Sequence, residues 1–242
     1  MLSVQRKEHL IGLLARDGRV VAKDAANELG VSEDSIRRDL REMAADGVCI
    51  RVYGGAVPIA ERPMRQRLDV ATESKERVAG AAVARIRPAS TIILDAGTTA
   101  LAMARMLPLD AALTVITPSP AVALAVAEHS DARILLVGGE VSRHSMVSGG
   151  PLALEAIAHL GADAFFMGVS GIDPLHGLTT GSVDDAATKR ALAARSTEVF
   201  VLASEEKIGA ASRFPVLGFG DITGIIVDPE DRNPLIAQLI PA

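Results

Sequence analysis

The ten residues Val31–Leu40, VSEDSIRRDL, constrain this chain more than any other stretch. Gly30 closes the helix before them. Ser32 is placed to cap a new helix, its hydroxyl accepting a free backbone N–H. Glu33 and Asp34 follow in the first turn, where negative charge suits the helix dipole. Ile36, Leu40 and Met43 recur at i, i+4 and i+7, so they share one buried stripe. A turn of ~100° per residue points Asp34, Ser35, Arg38 and Arg41 away from that stripe and leaves Arg37 on its flank. Gly47 ends the helix as a C′ residue. The predicted element is a short amphipathic helix whose exposed face carries three arginines and small polar groups. That chemistry meets the phosphates and base edges of duplex DNA.

The flanking residues complete a small domain over 3–58, with a helix-turn-helix at about 20–39. Ser3 is read as the cap of a first helix from about Val4 to Arg16, with Leu10, Ile11 and Leu14 on its apolar face, and Asp17-Gly18 stops it. Val20-Val21 leads into a second helix, about Ala22 to Leu29. After Gly47 the segment VCIRVYGGAV alternates as two short strands turned at Gly54-Gly55, which makes a wing. Arg51 and Tyr53 on the wing are in reach of a flanking phosphate or the minor groove. The candidate DNA contacts are therefore Ser32, Ser35, Arg37, Arg38, Arg41, Arg51 and Tyr53.

Charge sets a condition on that reading. The 242 residues carry a net charge of −5, whereas a nonspecific DNA binder is usually basic. Residues 1–60 hold nine Lys/Arg and nine Asp/Glu, so the remainder carries the whole deficit. Binding must come from a local positive face. The acidic remainder weakens nonspecific binding and leaves more of the work to a dimer reading a specific site. Cys49 stands alone, so no disulfide framework or thiolate metal site is expected. His9, His129, His144, His159 and His176 have no metal-ligand spacing. No apolar run reaches the ~18 residues of a membrane span. Arg6, Lys7 and Glu8 near the N-terminus do not read as a secretory signal. A cytoplasmic protein without metal or cofactor is the expectation.

Residues 59–75 are polar, hold Pro63 and have no clear period, and they read as a linker. Arg62, Arg65 and Arg67 are taken as solvated linker positions in preference to DNA-backbone contacts. Lys75 begins a helix running to about Ile86, with Val78, Ala82 and Ile86 on one face. Over 76–235, short apolar strands alternate with helices. Strands are read at Thr91–Leu94, Leu113–Thr117, Arg133–Val137, Ala164–Gly168, Val199–Ala203 and Thr223–Val227. Helices are read at Thr98–Leu107, Pro120–Glu128, Pro151–His159 and Asp184–Ala194. Continuous apolar strands mean that both sheet faces are covered, which predicts a largely parallel α/β sheet. Ligands in such sheets bind beyond the carboxyl ends of the strands.

The residues after those strands share one chemistry. Asp95-Ala96-Gly97-Thr98-Thr99 runs from a strand into a helix start, where free N–H groups and threonine hydroxyls form an anion site. Asp95 is read as an acceptor for sugar hydroxyls. Thr117 leads to Ser119 and Pro120, a capped helix start aimed at the same edge. Gly138-Gly139, Gly168 and Gly171 follow the third and fourth strands and let backbone approach a ligand. Asp185 and Lys189 share a helix face, a spacing that is commonly only a surface pair. Lys207 lies beyond the fifth strand and offers positive charge to a phosphate. Each feature is weak alone, and their convergence on one sheet edge is the argument.

Arg6, Val31-Ser32, Ile36-Arg37-Arg38-Asp39-Leu40, Gly47 and Arg51 before Tyr53-Gly54-Gly55-Ala56 together resemble the DNA-binding signature of the DeoR family of bacterial transcription regulators. The resemblance extends from about Arg6 to Asp228. It implies a winged helix-turn-helix followed by a sensor domain similar to ribose-5-phosphate isomerase and glucosamine-6-phosphate deaminase folds. It matches Asp95, Gly97, Thr98 and Thr99 to the family's D-x-GTT turn, Asp185 and Lys189 to its EA-x-x-K string, and Lys207 to its D-x-x-K. Pro118, Asp185 and Ser204 depart from the usual Asn, Glu and Asp. The implied activity is regulation of a sugar or carbohydrate operon. In that reading a homodimer or larger homo-oligomer represses from double-stranded operator DNA and is released by a phosphorylated sugar.

The alternative is a sugar-phosphate isomerase or deaminase carrying a DNA-binding appendage, with Asp95, Asp185 and Lys207 moving protons. No paired acid and base stand at a spacing that demands it. Gly168-Val169-Ser170-Gly171 lacks the nucleophile-elbow spacing. Gly218-Phe219-Gly220 with Gly224 misses the dinucleotide fingerprint.

Overall fold

The first helix, α1 (Ser3–Asp17), lies against a helix pair, α2 (Ala22–Leu29) and α3 (Glu33–Ala45). This computed structural model describes residues 3–17, 19–45, 48–58 and 64–239. Leu10, Leu14, Ala22, Ala26, Ile36, Leu40 and Met43 form the core of this domain, as the i, i+4, i+7 stripe requires. Ser3 is the first residue of α1, and its hydroxyl bonds Asp39 across the domain at 3.2 Å. That contact replaces the capping role expected of it. Gly30 ends α2 with φ 62°. The expected stops at Gly18 and Gly47 lie outside the described residues, as does Arg62; so do the side chains of Arg16 and Arg65.

The wing is a three-stranded sheet in the order β1 (Val20–Val21), β3 (Gly55–Pro58), β2 (Cys49–Val52). Val20 and Val21 pair with Ala56 and Gly55, so they are sheet residues as well as the entry to α2. Val52 pairs with Gly55, which puts the turn at Tyr53-Gly54, one residue before its expected place. Gly55 is required there, because a Cβ would stand 1.7 Å from the Val20 carbonyl oxygen.

One helix falls inside the stretch read as a linker and a second begins in it. They are α4 (Met64–Arg67) and α5 (Thr72–Val83), so α5 starts three residues before Lys75. Met64 is buried in the core of the larger domain, and its N–H bonds the His144 carbonyl at 3.0 Å. A four-residue element has too short a period for its apolar face to be read, and one buried methionine among arginines gave no signal.

The larger domain continues with β4 (Thr91–Leu94), α6 (Thr98–Arg105), β5 (Thr114–Thr117), α7 (Pro120–His129) and β6 (Arg133–Leu136). A short hairpin, β7 (Glu140–Val141) with β8 (Ser148–Gly149), leads to α8 (Gly150–Ala158) and β9 (Ala162–Gly168). Then come β10 (Gly171–Asp173), β11 (Gly177–Thr180), α9 (Val183–Ala193), β12 (Ser196–Ala203), β13 (Phe214–Pro215), β14 (Gly224–Val227) and α10 (Ile236–Leu239). The main sheet has six strands in the order β14-β12-β9-β4-β5-β6, and every pairing in it is parallel.

Successive residues of its strands enter opposite layers. Ile92, Leu94, Phe166 and Leu202 face a core shared with Val78, Ala82 and Val122. Ile93, Phe165, Met167 and Val201 face a second core with Ile157, Leu192 and Leu178. Burying an aliphatic or aromatic side chain is worth ~1.5–3 kcal/mol, and these strands do it on both faces, which holds them as the middle layer. The ends of the six strands were legible to within two or three residues.

A second sheet, β10-β11-β13, was not expected. Its hairpin turns over Pro174-Leu175-His176, with Asp173 paired to Gly177 at φ 68°. Asp-Pro followed by glycine is a turn signal that the reading passed over. Among the described residues, no helix is long and apolar enough to cross a membrane.

Candidate nucleic-acid interface and effector pocket

The arginine-bearing face of α3 is built from inside. Ile36 and Leu40 hold one side of the helix in the core, and Ser32 Oγ accepts the Ser35 N–H at 3.3 Å. Ser32 Oγ and Ser35 Oγ stand 2.9 Å apart. Asp39 points inward, buried with Arg6 of α1. The guanidinium grips both carboxylate oxygens, Nη2 to Oδ1 at 3.0 Å and Nε to Oδ2. This pair fixes α1 across α3, and sequence reasoning saw Arg6 and Asp39 only as letters of a family string.

Arg37, Arg38 and Arg41 are exposed, as is Arg51 on β2. Arg37 is engaged by Glu33, at 2.6 and 2.9 Å. Among the described residues, the Arg38, Arg41 and Arg51 side chains make no ion pair or hydrogen bond. The Tyr53 ring at the wing tip is 64% exposed. Its backbone N–H reaches Asp173 Oδ2 of the larger domain at 3.4 Å. Asp173 Oδ1 meanwhile holds the β10–β11 turn, accepting from the Leu175 and His176 N–H groups at 2.9 and 3.0 Å.

At the carboxyl ends of β4, β9 and β12 lies a small half-open cleft. Its lining includes Gly97, Thr98, Thr99, Gly168, Asp185, Lys189 and Lys207 from the expected set. The N-terminus of α6 has no side-chain cap and lies against this space. Its first amides are therefore free for a ligand. Ala96, Ser170, Thr180, Ser145, Val147 and Arg67 also line the cavity. Arg67 was read as a solvated linker position and Ser145 gave no sequence signal, because they reach the cavity from a short helix and a loop that carry no periodicity.

Six expected residues stand elsewhere. Asp95 lies behind the wall. Its Oδ1 accepts the Ala96 N–H at 2.8 Å, and its Oδ2 accepts the Gly168 N–H at 2.8 Å and Lys189 Nζ at 2.5 Å. A carboxylate so committed anchors the wall and is not free for a sugar hydroxyl. Thr117 is fully buried, and its hydroxyl accepts the Ser119 N–H at 3.1 Å. Ser119 caps α7 at Val122, 3.4 Å, so that helix start is satisfied by its own residues. The Gly138 carbonyl accepts Ser148 Oγ at 3.0 Å. A Cβ at Gly139 would meet Gly149 O at 2.6 Å, and one at Gly171 would meet Ala210 O at 2.3 Å. Those two glycines serve close backbone packing.

Lys189 is not the exposed partner its i, i+4 spacing with Asp185 commonly implies. Its side chain is 5% exposed and lies 2.5 Å from Asp95 Oδ2 and 3.4 Å from Asp185 Oδ1. Burial disfavours its charge, but the Asp185 and Asp95 carboxylates outweigh burial and hold the ammonium above the ordinary lysine range. Asp185 Oδ2 accepts the Thr180 hydroxyl, and the buried Asp185 Oδ1 has the Lys189 ammonium at 3.4 Å but, among the described residues, no hydrogen-bond partner.

A winged helix-turn-helix with exposed arginines, joined to a parallel α/β domain, is the build of a transcriptional regulator. Residues 6–62 match the DeoR-like helix-turn-helix domain, and residues 70–229 match the DeoR C terminal sensor domain. Among similar proteins is the HTH-type transcriptional regulator GlpR of Haloferax volcanii, 32% identical over 94% of this chain and 91% of its own length. Another is the glycerol-3-phosphate regulon repressor of Escherichia coli K12, 30% identical over 99% of this chain and 95% of its own. Ribose 5-phosphate isomerase A of Methanocaldococcus jannaschii aligns at TM-score 0.41 and 16% identity, over 57% of this chain and 54% of that one. The chain belongs to the DeoR family of DNA-binding transcriptional regulators.

Proposed function

We propose that the protein represses a carbohydrate-utilisation operon and releases its operator when a phosphorylated sugar or polyol occupies the cavity beside α6. The observation carrying this reading is the uncapped α6 N-terminus, with Thr98 and Thr99, facing the same space as Lys207 and Lys189. Free helix amides and ammonium groups recognise phosphate. Asp185 Oδ1 is an acceptor for a sugar hydroxyl. The name of the Escherichia coli relative, a glycerol-3-phosphate regulon repressor, points to the same compound class. Ser32, Ser35, Arg37, Arg38, Arg41, Arg51 and Tyr53 are the proposed DNA-contacting set. A cytoplasmic homodimer would set two α3 helices about 34 Å apart on the duplex.

Binding, not turnover, is the role we assign to the cavity. Lys189 stays protonated at neutral pH between two carboxylates, and Asp95 has both oxygens engaged. Neither is poised to take a proton from substrate.

The test is fluorescence anisotropy of the purified protein on DNA upstream of its own gene, titrated with glycerol 3-phosphate and a panel of hexose and pentose phosphates. Release by a phosphorylated compound and not by its dephosphorylated counterpart is expected. Binding that no member of the panel disturbs would overturn the effector assignment, and product formation from any member would restore the enzyme reading.

A further inference from the structure

The side chain of Arg67 enters the cavity from α4, on the stretch that joins the two domains. Arg67 is half-buried, and among the described residues its buried Nε has no hydrogen-bond partner. A buried N–H without an acceptor is costly unless something else supplies one. The backbone around it is fixed independently of that side chain. Lys75, 4% exposed on α5, points its ammonium into the α4–α5 turn. There it holds the Arg67 carbonyl at 2.8 Å and the Val70 carbonyl more closely still. Met64 anchors the other end of α4 in the core and on the His144 carbonyl. The loop beyond His144 then supplies Ser145 and Val147 to the same cavity.

Charge around Arg67 is unbalanced. Lys75 and Lys207 stand close by, and one carboxylate, Glu206, serves both at 3.7 and 3.6 Å. Lys189 on the far side is matched by Asp95 and Asp185. The surplus of positive charge is therefore on the side of Arg67 and Lys207, where the free amides of α6 also line the space. Arginine suits a phosphate better than lysine does, because its planar fork meets two oxygens at once.

We infer that Arg67 is the phosphate ligand of the effector, acting with Lys207 and the α6 amides. The inference rests on the proposed phosphorylated effector. It adds a regulatory consequence. Five residues separate Pro58, the last of the wing, from Met64, a tether that spans about 20 Å when extended. A phosphate gripped by Arg67 changes the hold on α4, and α4 is the near end of the tether to the DNA-binding domain. Effector affinity and operator release then pass through one side chain.

The experiment is isothermal titration of the full chain with inorganic phosphate and with glycerol 3-phosphate, on the wild type, Arg67→Gln and Arg67→Lys. Ligand-free melting curves are recorded alongside to establish that each variant is folded. Loss of a charged hydrogen-bonded contact predicts ~10- to 100-fold weaker binding in Arg67→Gln, with Arg67→Lys in between. Arg67→Lys keeps the stem and the charge, so it decides the matter if Arg67→Gln fails to fold. Variants that bind as the wild type does would overturn the role of Arg67 and leave the phosphorylated effector standing. A wild type that binds neither these probes nor any sugar phosphate would remove the effector reading and this inference together.

Discussion

Two buried ionic arrangements divide the work of this molecule. In the DNA-binding domain Arg6 and Asp39 match one charge to one charge, with side chains 8% and 1% exposed. Both oxygens of Asp39 are taken, one by Nε and the other by Nη2 and Ser3. In the sensor domain Lys189 faces two carboxylates, Asp95 and Asp185, and one oxygen of Asp185 has no hydrogen-bond partner. The first arrangement is saturated and turned into the protein, and it sets the angle between α1 and α3. The second borders a cavity and keeps an acceptor in hand. Saturation marks a charge pair that shapes the fold, and a carboxylate with an unfilled oxygen in the wall of a cavity marks one that a ligand can engage.

The largest effect is expected from breaking the saturated pair. Arg6→Ala leaves the buried Asp39 with the Ser3 hydroxyl but without its countercharge, which costs ~3–5 kcal/mol. Urea unfolding should show the loss, and operator binding should fall with it because α3 loses its brace. The joint replacement Arg6→Met with Asp39→Leu removes both charges and should cost far less, since a buried pair can be exchanged for packed apolar groups. Equal damage from the single and joint changes would mean that the brace acts through something other than charge balance.

Asp185→Asn sharpens the contrast from the other side. Lys189 keeps Asp95, so the change in stability should stay within about 1 kcal/mol, in the range of ordinary single substitutions. Effector-driven release should instead need about ten times more ligand, the worth of one hydrogen bond from a sugar hydroxyl. A stability loss as large as that of Arg6→Ala would put Asp185 among the fold-shaping charges.

Why one domain was more legible than the other follows from the same distinction. The α3 stripe, the Gly30 turn and the alternating layers of the main sheet are local patterns with a fixed period, and residues such as Ile36, Leu40, Ile92 and Phe166 fall where the period puts them. The Gly97-Thr98-Thr99 turn was readable because a strand running into a helix start has its own signature. Asp95 looked like a ligand from its place after a strand, and only its long-range partners Gly168 and Lys189 reveal it as an anchor. Arg67 looked like solvated linker, because nothing local says that Lys75 and Met64 will pin its backbone beside the cavity. Charge balance is a property of contacts distant in sequence, and periodicity does not report it.

The exposed arginines carry the comparison to the protein surface. Arg37 is already satisfied by Glu33, whereas Arg38 and Arg41 have no such partner among the described residues. Arg38→Ala and Arg41→Ala should each weaken operator binding and lower the slope of log affinity against log salt by about 1, as the loss of one phosphate contact does. Arg37→Ala should change the slope less, because engaging DNA first means leaving Glu33. Anisotropy titrations at several salt concentrations separate the three. Equal slopes for all would show that the Glu33 contact gives way freely on DNA.

The smallest effect concerns a pair between those extremes. Arg77 of α5, 31% exposed, meets the buried Asp228 at 2.8 and 2.9 Å and ties α5 to the end of β14. The guanidinium bonds hold the Asp228 carboxyl well below the usual aspartate range, against the opposing pull of burial. A carboxylate depressed on folding stabilises fully above its unfolded pKa of about 3.9, and the contribution fades as pH falls beneath that value. The urea midpoint of the wild type should therefore exceed that of Asp228→Asn at pH 6, and the difference should shrink as pH falls below about 4. Because α5 also carries Lys75, the same variant should loosen the hold on the Arg67 backbone and weaken phosphate binding slightly at neutral pH. A midpoint difference that stays constant from pH 6 to pH 3 would mean that Asp228 acts through shape and not through its charge, which would place this pair outside the division drawn between Asp39 and Asp185.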